Sequence, residues 1–178
     1  MNSAYRNTAA IDVHKRWLYV VVGLAETAER DFPRCRVGST IQDLAGLGEW
    51  LRRQGVCTVV MESTAQYWKP VWAALEAEFT LLLAQARSNA APRGRKSDYA
   101  DAIRMIKRLW ADDLRLSFVP DPEQRGWRLL TRMRVQHTRE ITRLRNRIEG
   151  LLEEGRIKIS LVCSATFWAR AGAACYAH

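Results

Sequence analysis

Four carboxylates stand where the local sequence does not favour them. Asp12 interrupts an apolar, strand-like run and Glu62 terminates another, while Asp98 and Asp101 lie three residues apart at the start of a predicted helix, on one helix face. A carboxylate inside a core is costly unless it is neutralised, hydrogen-bonded or bound to a cation. If the four converge, they predict a site for Mg²⁺, which prefers oxygen ligands and, in pairs about 4 Å apart, acts on phosphodiesters.

Each of these carboxylates also has a simpler explanation when it is taken alone. Asp98 is typical of a first helical turn, where the helix dipole favours a negative charge. Asp101 can be the solvated partner of Arg104 or Lys96. The two strand carboxylates, taken singly, are equally compatible with a structural role and with a functional one. The set of four, in one α/β domain beside a basic flank, favours the functional interpretation.

The positive charge of the chain is concentrated in two stretches. The net charge is +9, and residues 87–108 contribute five of these charges and residues 121–150 the other four, which leaves the remainder neutral. Basic residues collected in this way are typical of proteins that bind a polyanion. Nucleic acid is therefore the predicted partner, and the alternative is a solvated basic surface without a function.

Composition narrows the class of protein further. A chain of 178 residues that is 48% hydrophobic predicts one compact domain with an appendage. The longest apolar run falls short of the roughly 20 residues that a membrane span needs, and no leader-like segment opens the sequence, so we expect a cytoplasmic protein without a membrane partner. The four cysteines are widely separated and indicate neither a zinc site nor a disulfide framework.

The elements that must position the carboxylates alternate between strands and helices. Hydrophobic patterning predicts them at these places: a hairpin over 9–24, strands over 34–37, 57–61 and 79–83, and helices over about 41–54, 67–75, 97–109 and 123–154. Ser39 or Thr40 is expected to cap the first helix. Its apolar face is predicted from Ile41, Leu44, Leu47, Trp50 and Leu51. This order favours an α/β domain in which helices cover a central sheet.

The last helix carries an apolar seam between arginines. Its members recur at three-, four- and seven-residue intervals: Leu130, His137, Ile141, Leu144, Ile148 and Leu151. Such spacing is typical of a coiled coil, and the seam can pack on a partner helix or on the chain's own domain.

Four ordered motifs resemble those of the DEDD transposases of the insertion sequence 110 family. They are I-D-V-H-K at 11–15, V-V-M-E-S-T at 59–64, G-R-K-S-D-Y-A-D-A at 94–102 and S-F-V-P at 117–120. The resemblance implies an RNase H-like (RuvC-like) domain in which Asp12, Glu62, Asp98 and Asp101 bind Mg²⁺. It also implies DNA transposition directed by a bridge-type guide RNA, with a helical arm that mediates homo-oligomer assembly and RNA contact.

The resemblance leads to a domain plan and to expected nucleic-acid contacts. The RNase H-like domain is expected over 1–115 and the basic arm over 116–157. We expect two groups of basic residues to contact phosphates: Arg93, Arg95 and Lys96 beside the carboxylates, and Arg132, Arg139 and Arg143 on the arm.

The end of the sequence departs from the family pattern. Members carry a second domain with a catalytic serine, and no serine here matches its motif. Residues 158–178 are interpreted as an aberrant tail, which suggests a frameshifted copy that is inactive alone. Two alternatives stay open: a Holliday-junction-type nuclease that uses the same carboxylates, and a non-catalytic module for nucleic-acid binding or dimerisation.

Overall fold

The computed structural model describes residues 5, 7–63, 65–85 and 98–157, except for the side chains of Ser63 and Asp98. The elements are β1 (Asn7–Val13), β2 (Trp17–Leu24), β3 (Arg34–Gly38), α1 (Ile41–Arg53), β4 (Thr58–Ser63), α2 (Trp68–Leu75), β5 (Thr80–Ala84), α3 (Asp98–Trp110), β6 (Leu116–Ser117) and α4 (Pro122–Glu154). By their internal contacts they divide between two compact units, Met1–Val119 and Pro120–His178.

The six strands form one mixed sheet in the order β3-β2-β1-β4-β5-β6. Strands β1, β2 and β3 are successively antiparallel, β1, β4 and β5 run parallel, and β6 is antiparallel to β5. Antiparallel strands can follow short turns, whereas parallel neighbours need a crossover, and α1 and α2 provide it. The predicted α/β fold class, a sheet flanked by helices and followed by a long basic helix, is confirmed.

Side chains alternate between the two faces of the sheet and fill two cores. Ile11 and Met61 face the core that α1 and α2 cover, together with Leu47, Leu51 and other residues of those helices. The neighbouring strand positions, such as Ala10 and Val60, face the core that α3 covers. Because side chains on a strand alternate with period two, every residue of β1 and β4 is assigned to one of these faces.

Two helices begin at the caps that the sequence favours. Thr40 caps α1 in a capping box, in which its side chain accepts from the Asp43 amide and the Asp43 carboxylate accepts from the Thr40 amide. The Asp121 carboxylate accepts from the Gln124 amide at 2.8 Å, and Pro122 occupies the first turn of α4. Both arrangements satisfy backbone donors that the first helical turn leaves unpaired.

Two sequence expectations differ from the structure, and one strand was not predicted. Ile41 is 88% exposed, because it is the first residue of α1 and precedes the turns that reach the sheet. Strand β4 does not end before Glu62, since its pairing with β1 continues to Val13 opposite Ser63. The two-residue strand β6 was not predicted, because its pairing with Leu83 and Ala84 has no local signal.

In the described residues, no helix is both long and apolar enough to cross a membrane.

Gly23 allows α3 to lie close against the sheet. A Cβ atom at Gly23 would stand 2.6 Å from Ile106 Cγ2 and 3.0 Å from Trp110 Cζ2. We therefore expect Gly23→Ala to displace α3 and to lower the free energy of unfolding by about 1–3 kcal/mol, measured by thermal or urea denaturation. Gly46→Ala is the matched control, because nothing lies within 4 Å of that site on α1 and alanine favours the helix by up to about 1 kcal/mol. Equal stability of the two variants would contradict this packing.

Candidate metal and nucleic-acid site

Asp12 and Glu62 are direct neighbours across two parallel strands. The pairing of β1 with β4 sets Asp12 opposite Glu62, and paired positions project to the same face of a sheet. The residues that precede them, Ile11 and Met61, belong to the core on the α1 and α2 side. Both carboxylates therefore lie on the face that α3 covers, near the carboxyl ends of their strands.

Strand β2 and helix α3 meet beside this pair. Tyr19 is the neighbour of Asp12 on the other side of β1, and its ring contacts the Tyr99 ring edge to face at a centroid distance of 5.4 Å. Since Tyr99 is in the first turn of α3, this turn lies over the carboxylate rung of the sheet. Asp98 is the first residue of α3, and its side chain is outside the described part of the structure.

Asp101 adds a third carboxylate and brings its own counter-ion. Arg104 Nη1 donates to Asp101 Oδ1 at 2.7 Å, and both side chains are partly buried. This pairing with Arg104 is the simpler explanation of Asp101 that the sequence suggests. The negative charge of Asp101 also acts to raise the pKa of Glu62, after the larger effects of burial and of Asp12. Asp101 thus forms an ion pair with Arg104 and also contributes to the electrostatic environment of Glu62.

The electrostatics of Glu62 reflect this crowding. Burial raises the pKa of Glu62 above its ordinary value, and the negative charges of Asp12 and Asp101 raise it further, while Arg104 and Arg108 act in the opposite direction. Like charges on directly opposed strand positions are destabilising, and desolvation increases the cost. Burial and the neighbouring carboxylates therefore both disfavour the ionised form of Glu62.

His14 is part of the site, although its place in a turn gave no reason to expect a role. Its Nε2 atom lies 3.1 Å from Asp12 Oδ2, and its ring contacts Tyr19 edge to face at 5.7 Å. The Asp12 side chain is 17% exposed, so this contact orients a carboxylate that is mostly shielded from water. The only local signal was the two-residue spacing of Asp12 and His14 around the end of a strand, which is too common to be specific.

The other predicted site residues fall into two groups. Arg93, Arg95 and Lys96 lie outside the described residues. Arg132, Arg139 and Arg143 are all exposed on α4, as phosphate contacts require.

The donor chemistry of the carboxylate cluster fits a divalent cation. Among the side chains that the structure describes, which exclude Asp98, no group of three or more His, Cys, Asp or Glu residues is arranged to hold a metal ion. Asp12 and Glu62 are nonetheless adjacent carboxylates in register, and burial and the charge of Asp12 raise the pKa of Glu62. Both are hard oxygen donors that a cation would neutralise. Arg104 and His14 were not predicted as site residues, because only the packing of α3 and the turn after β1 bring them there.

Comparison with known proteins gives a family match over most of the chain. The model of a transposase family, the DEDD transposases of insertion sequence 110, matches residues 9–156. No match was found among curated proteins. Among solved structures, the chain is similar to T. thermophilus RuvC in complex with a Holliday junction substrate, with a TM-score of 0.40 and 15% identity over 62% of this chain and 99% of that one. The family match includes all four predicted carboxylates and the whole of α4.

Proposed function

Because the chain belongs to the DEDD transposases of the insertion sequence 110 family, we propose that its four motif carboxylates hold Mg²⁺ for DNA strand transfer: Asp12, Glu62, Asp98 and Asp101. At the family level its function is DNA transposition, and transposases of this type generally use divalent metal ions. We assign the six-stranded unit to the RNase H-like domain that the family resemblance implies. The choice of Mg²⁺ and the four ligands is the proposal.

The observation that carries this proposal is the in-register pair of Asp12 and Glu62 on the α3 face. The two strands bring together acidic groups that are far apart in sequence, and burial together with the negative charge of Asp12 raises the pKa of Glu62. Without a bound cation, two carboxylates at paired strand positions are less stable than a neutral pair would be. Their presence therefore supports a site that binds a cation.

The residues around the carboxylates have distinct roles in this proposal. When bound, Mg²⁺ supplies Lewis-acid stabilisation of the oxygens of the reacting phosphodiester. His14 holds Asp12 through the 3.1 Å contact, which restricts the rotamers of that ligand. Arg104 pairs with Asp101 at 2.7 Å and so fixes the orientation of that carboxylate. Asp98, at the start of α3, completes the ligand set, and Arg93, Arg95 and Lys96 bind phosphates next to it.

Titration of the full chain with Mg²⁺ tests the metal site. A ligand at roughly 100 times its Kd stabilises the folded state by about 2.7 kcal/mol, which raises Tm by about 5–10 °C in a protein of this size. We expect this rise in the wild type and also in Glu49→Gln, which removes an exposed carboxylate from α1. A Tm that does not respond to Mg²⁺ would refute the proposed site.

Helix α4 is proposed to bind a guide RNA and to form a homo-oligomer. Its arginines are exposed except for the partly buried Arg125, and no residue of the helix is buried, so the exposed arginines and the apolar seam both face solvent in the single chain. Glutamine at Arg132, Arg139 and Arg143 should lower the salt dependence of RNA binding, with a slope smaller by about two to three. An unchanged slope would exclude these arginines as phosphate contacts. If the RNA guides recombination, exchanging its target-complementary segment must redirect the DNA target.

A further inference from the structure

A second group of residues on the carboxylate face is built from cations and an aromatic ring. The Arg16 guanidinium carbon lies 5.1 Å from the centroid of the Trp17 ring, and that of Arg36 lies 4.7 Å from the same centroid. Both distances are in the range of cation–π contacts. We call Arg16, Trp17 and Arg36 the Trp17 cluster; its two arginines are exposed and Trp17 is half-buried.

Strand register connects this cluster to the carboxylates. Glu62 pairs with Asp12, Asp12 pairs with Tyr19, and Tyr19 pairs with Arg36, so one rung crosses β4, β1, β2 and β3. Paired positions share a face, which puts Arg36 on the α3 face. With neighbouring strands about 4.8 Å apart, the Arg36 backbone is roughly 10 Å from that of Asp12. Trp17 begins β2 at the sheet end where β1 finishes, since the His14 amide donates to the Trp17 carbonyl at 3.1 Å.

The charge of the cluster is not balanced by its described surroundings. Among the residues that the structure describes, neither Arg16 nor Arg36 forms an ion pair with a carboxylate. Two guanidinium groups on one indole repel each other, and Trp17 holds them in place through cation–π attraction. Restricting arginine side chains before binding reduces the entropy that a ligand contact must offset. The arrangement is suited to an anionic ligand that bridges the two cations.

We propose that the Trp17 cluster is a DNA-backbone subsite that binds phosphates of the strand entering the carboxylate site, an inference that rests on the proposed function. Arg16 and Arg36 contact phosphate oxygens, and Trp17 is the positioning residue that orders them. The backbones of Arg36 and Asp12 are about 10 Å apart, which corresponds to about three nucleotides at an axial rise of 3.4 Å. DNA is favoured over RNA as the occupant because Arg36 shares its sheet face and its rung with Asp12 and Glu62, to which the proposed function assigns DNA strand transfer.

Salt-dependent DNA binding tests this subsite. The full chain is titrated with a fluorescein-labelled DNA duplex of mixed sequence at several salt concentrations, and Arg16→Gln, Arg36→Gln and Trp17→Leu are compared with the wild type. Each arginine variant is expected to raise Kd about 3- to 10-fold and to reduce the slope of log Kd against log salt by about 0.9, the value for one phosphate contact. Trp17→Leu is expected to raise Kd without changing the slope, because it removes the ring that positions the two arginines and leaves their charges in place.

Arg53→Gln is the matched control. It removes the same charge from α1, which covers the opposite face of the sheet, and it should leave both Kd and slope unchanged. The inference is overturned if Arg16→Gln and Arg36→Gln behave like Arg53→Gln, if the wild type does not bind DNA, or if the variants lose affinity for an RNA of the same sequence but not for DNA. If Arg36→Gln fails to fold, the result for Arg16→Gln alone tests the subsite. Arg16 lies in an exposed turn, so its substitution should leave the fold intact.

The Mg²⁺ response of the same proteins separates this inference from the proposed function. Arg16→Gln and Arg36→Gln should keep the Mg²⁺-dependent rise in Tm, because neither residue is a proposed ligand. A retained metal response with unchanged salt slopes would refute the subsite alone. Reduced slopes in a wild-type background that ignores Mg²⁺ would refute the metal site and leave the Trp17 cluster as a DNA contact.

Discussion

Asp12→Asn is expected to stabilise the metal-free protein while it abolishes the response to Mg²⁺. Asparagine keeps the shape of the side chain and removes one of two negative charges that are directly paired across β1 and β4. Relief of repulsion between opposed like charges contributes about 0.2–1 kcal/mol. Replacing a proposed ligand should weaken Mg²⁺ binding by more than the roughly 10- to 100-fold that loss of a supporting residue causes. The two effects have opposite signs, so a general loss of folding cannot imitate them.

Denaturation with and without Mg²⁺ measures both effects in one experiment. The Tm of Asp12→Asn without Mg²⁺ should equal or exceed that of the wild type, and it should stay constant as Mg²⁺ is added. Glu49→Gln serves as the control, because it removes an exposed carboxylate that is paired only with Arg53 among the described ion pairs. A variant that still responds to Mg²⁺ like the wild type would show that Asp12 is not a ligand.

Ile148→Asn is expected to dissociate the oligomer that we propose for α4. The seam positions Ile141 and Ile148 alternate with Leu144 and Leu151 at four- and three-residue steps, which assigns isoleucine to heptad position a and leucine to d. That combination favours two parallel strands, and the seam side chains are 42–61% exposed in the single chain. Truncating a large buried side chain costs about 2–5 kcal/mol, so the dimer Kd should rise on the order of 100-fold or more.

Sedimentation velocity of the full chain measures this change. Val135→Asn is the control, since Val135 is on the same helix, 48% exposed and outside the a and d positions. His137→Leu should change the equilibrium in the opposite direction, because it replaces the polar residue at a d position with the one that coiled coils prefer. A wild-type chain that stays monomeric at all concentrations, or an Ile148→Asn variant that associates like the wild type, would refute the proposed interface.

Much of the fold follows from short-range sequence patterns. Apolar runs rich in β-branched residues predict β1, β2 and β4, the cap at Thr40 predicts the start of α1, and the three- and four-residue spacing of the apolar seam predicts α4. These patterns are local because backbone geometry sets the periods of strands and helices. The errors occur where a long-range pairing decides: β4 continues through Glu62 because β1 pairs with it there, and β6 exists through pairing with β5.

For the candidate site, the sequence by itself determined the kind of chemistry, since four ordered acidic motifs and a net charge of +9 indicate a protein that acts on nucleic acid. The tertiary structure alone decided which distant groups meet: Asp12 lies beside Glu62, and the first turn of α3, with Tyr99 against Tyr19, lies over that pair. The physical reason is that strand register and the packing of α3 are set by hydrophobic burial summed over the whole sheet. No short stretch of sequence contains that sum. Residue types therefore indicate the chemistry of the site, whereas the contacts between its residues require the folded structure.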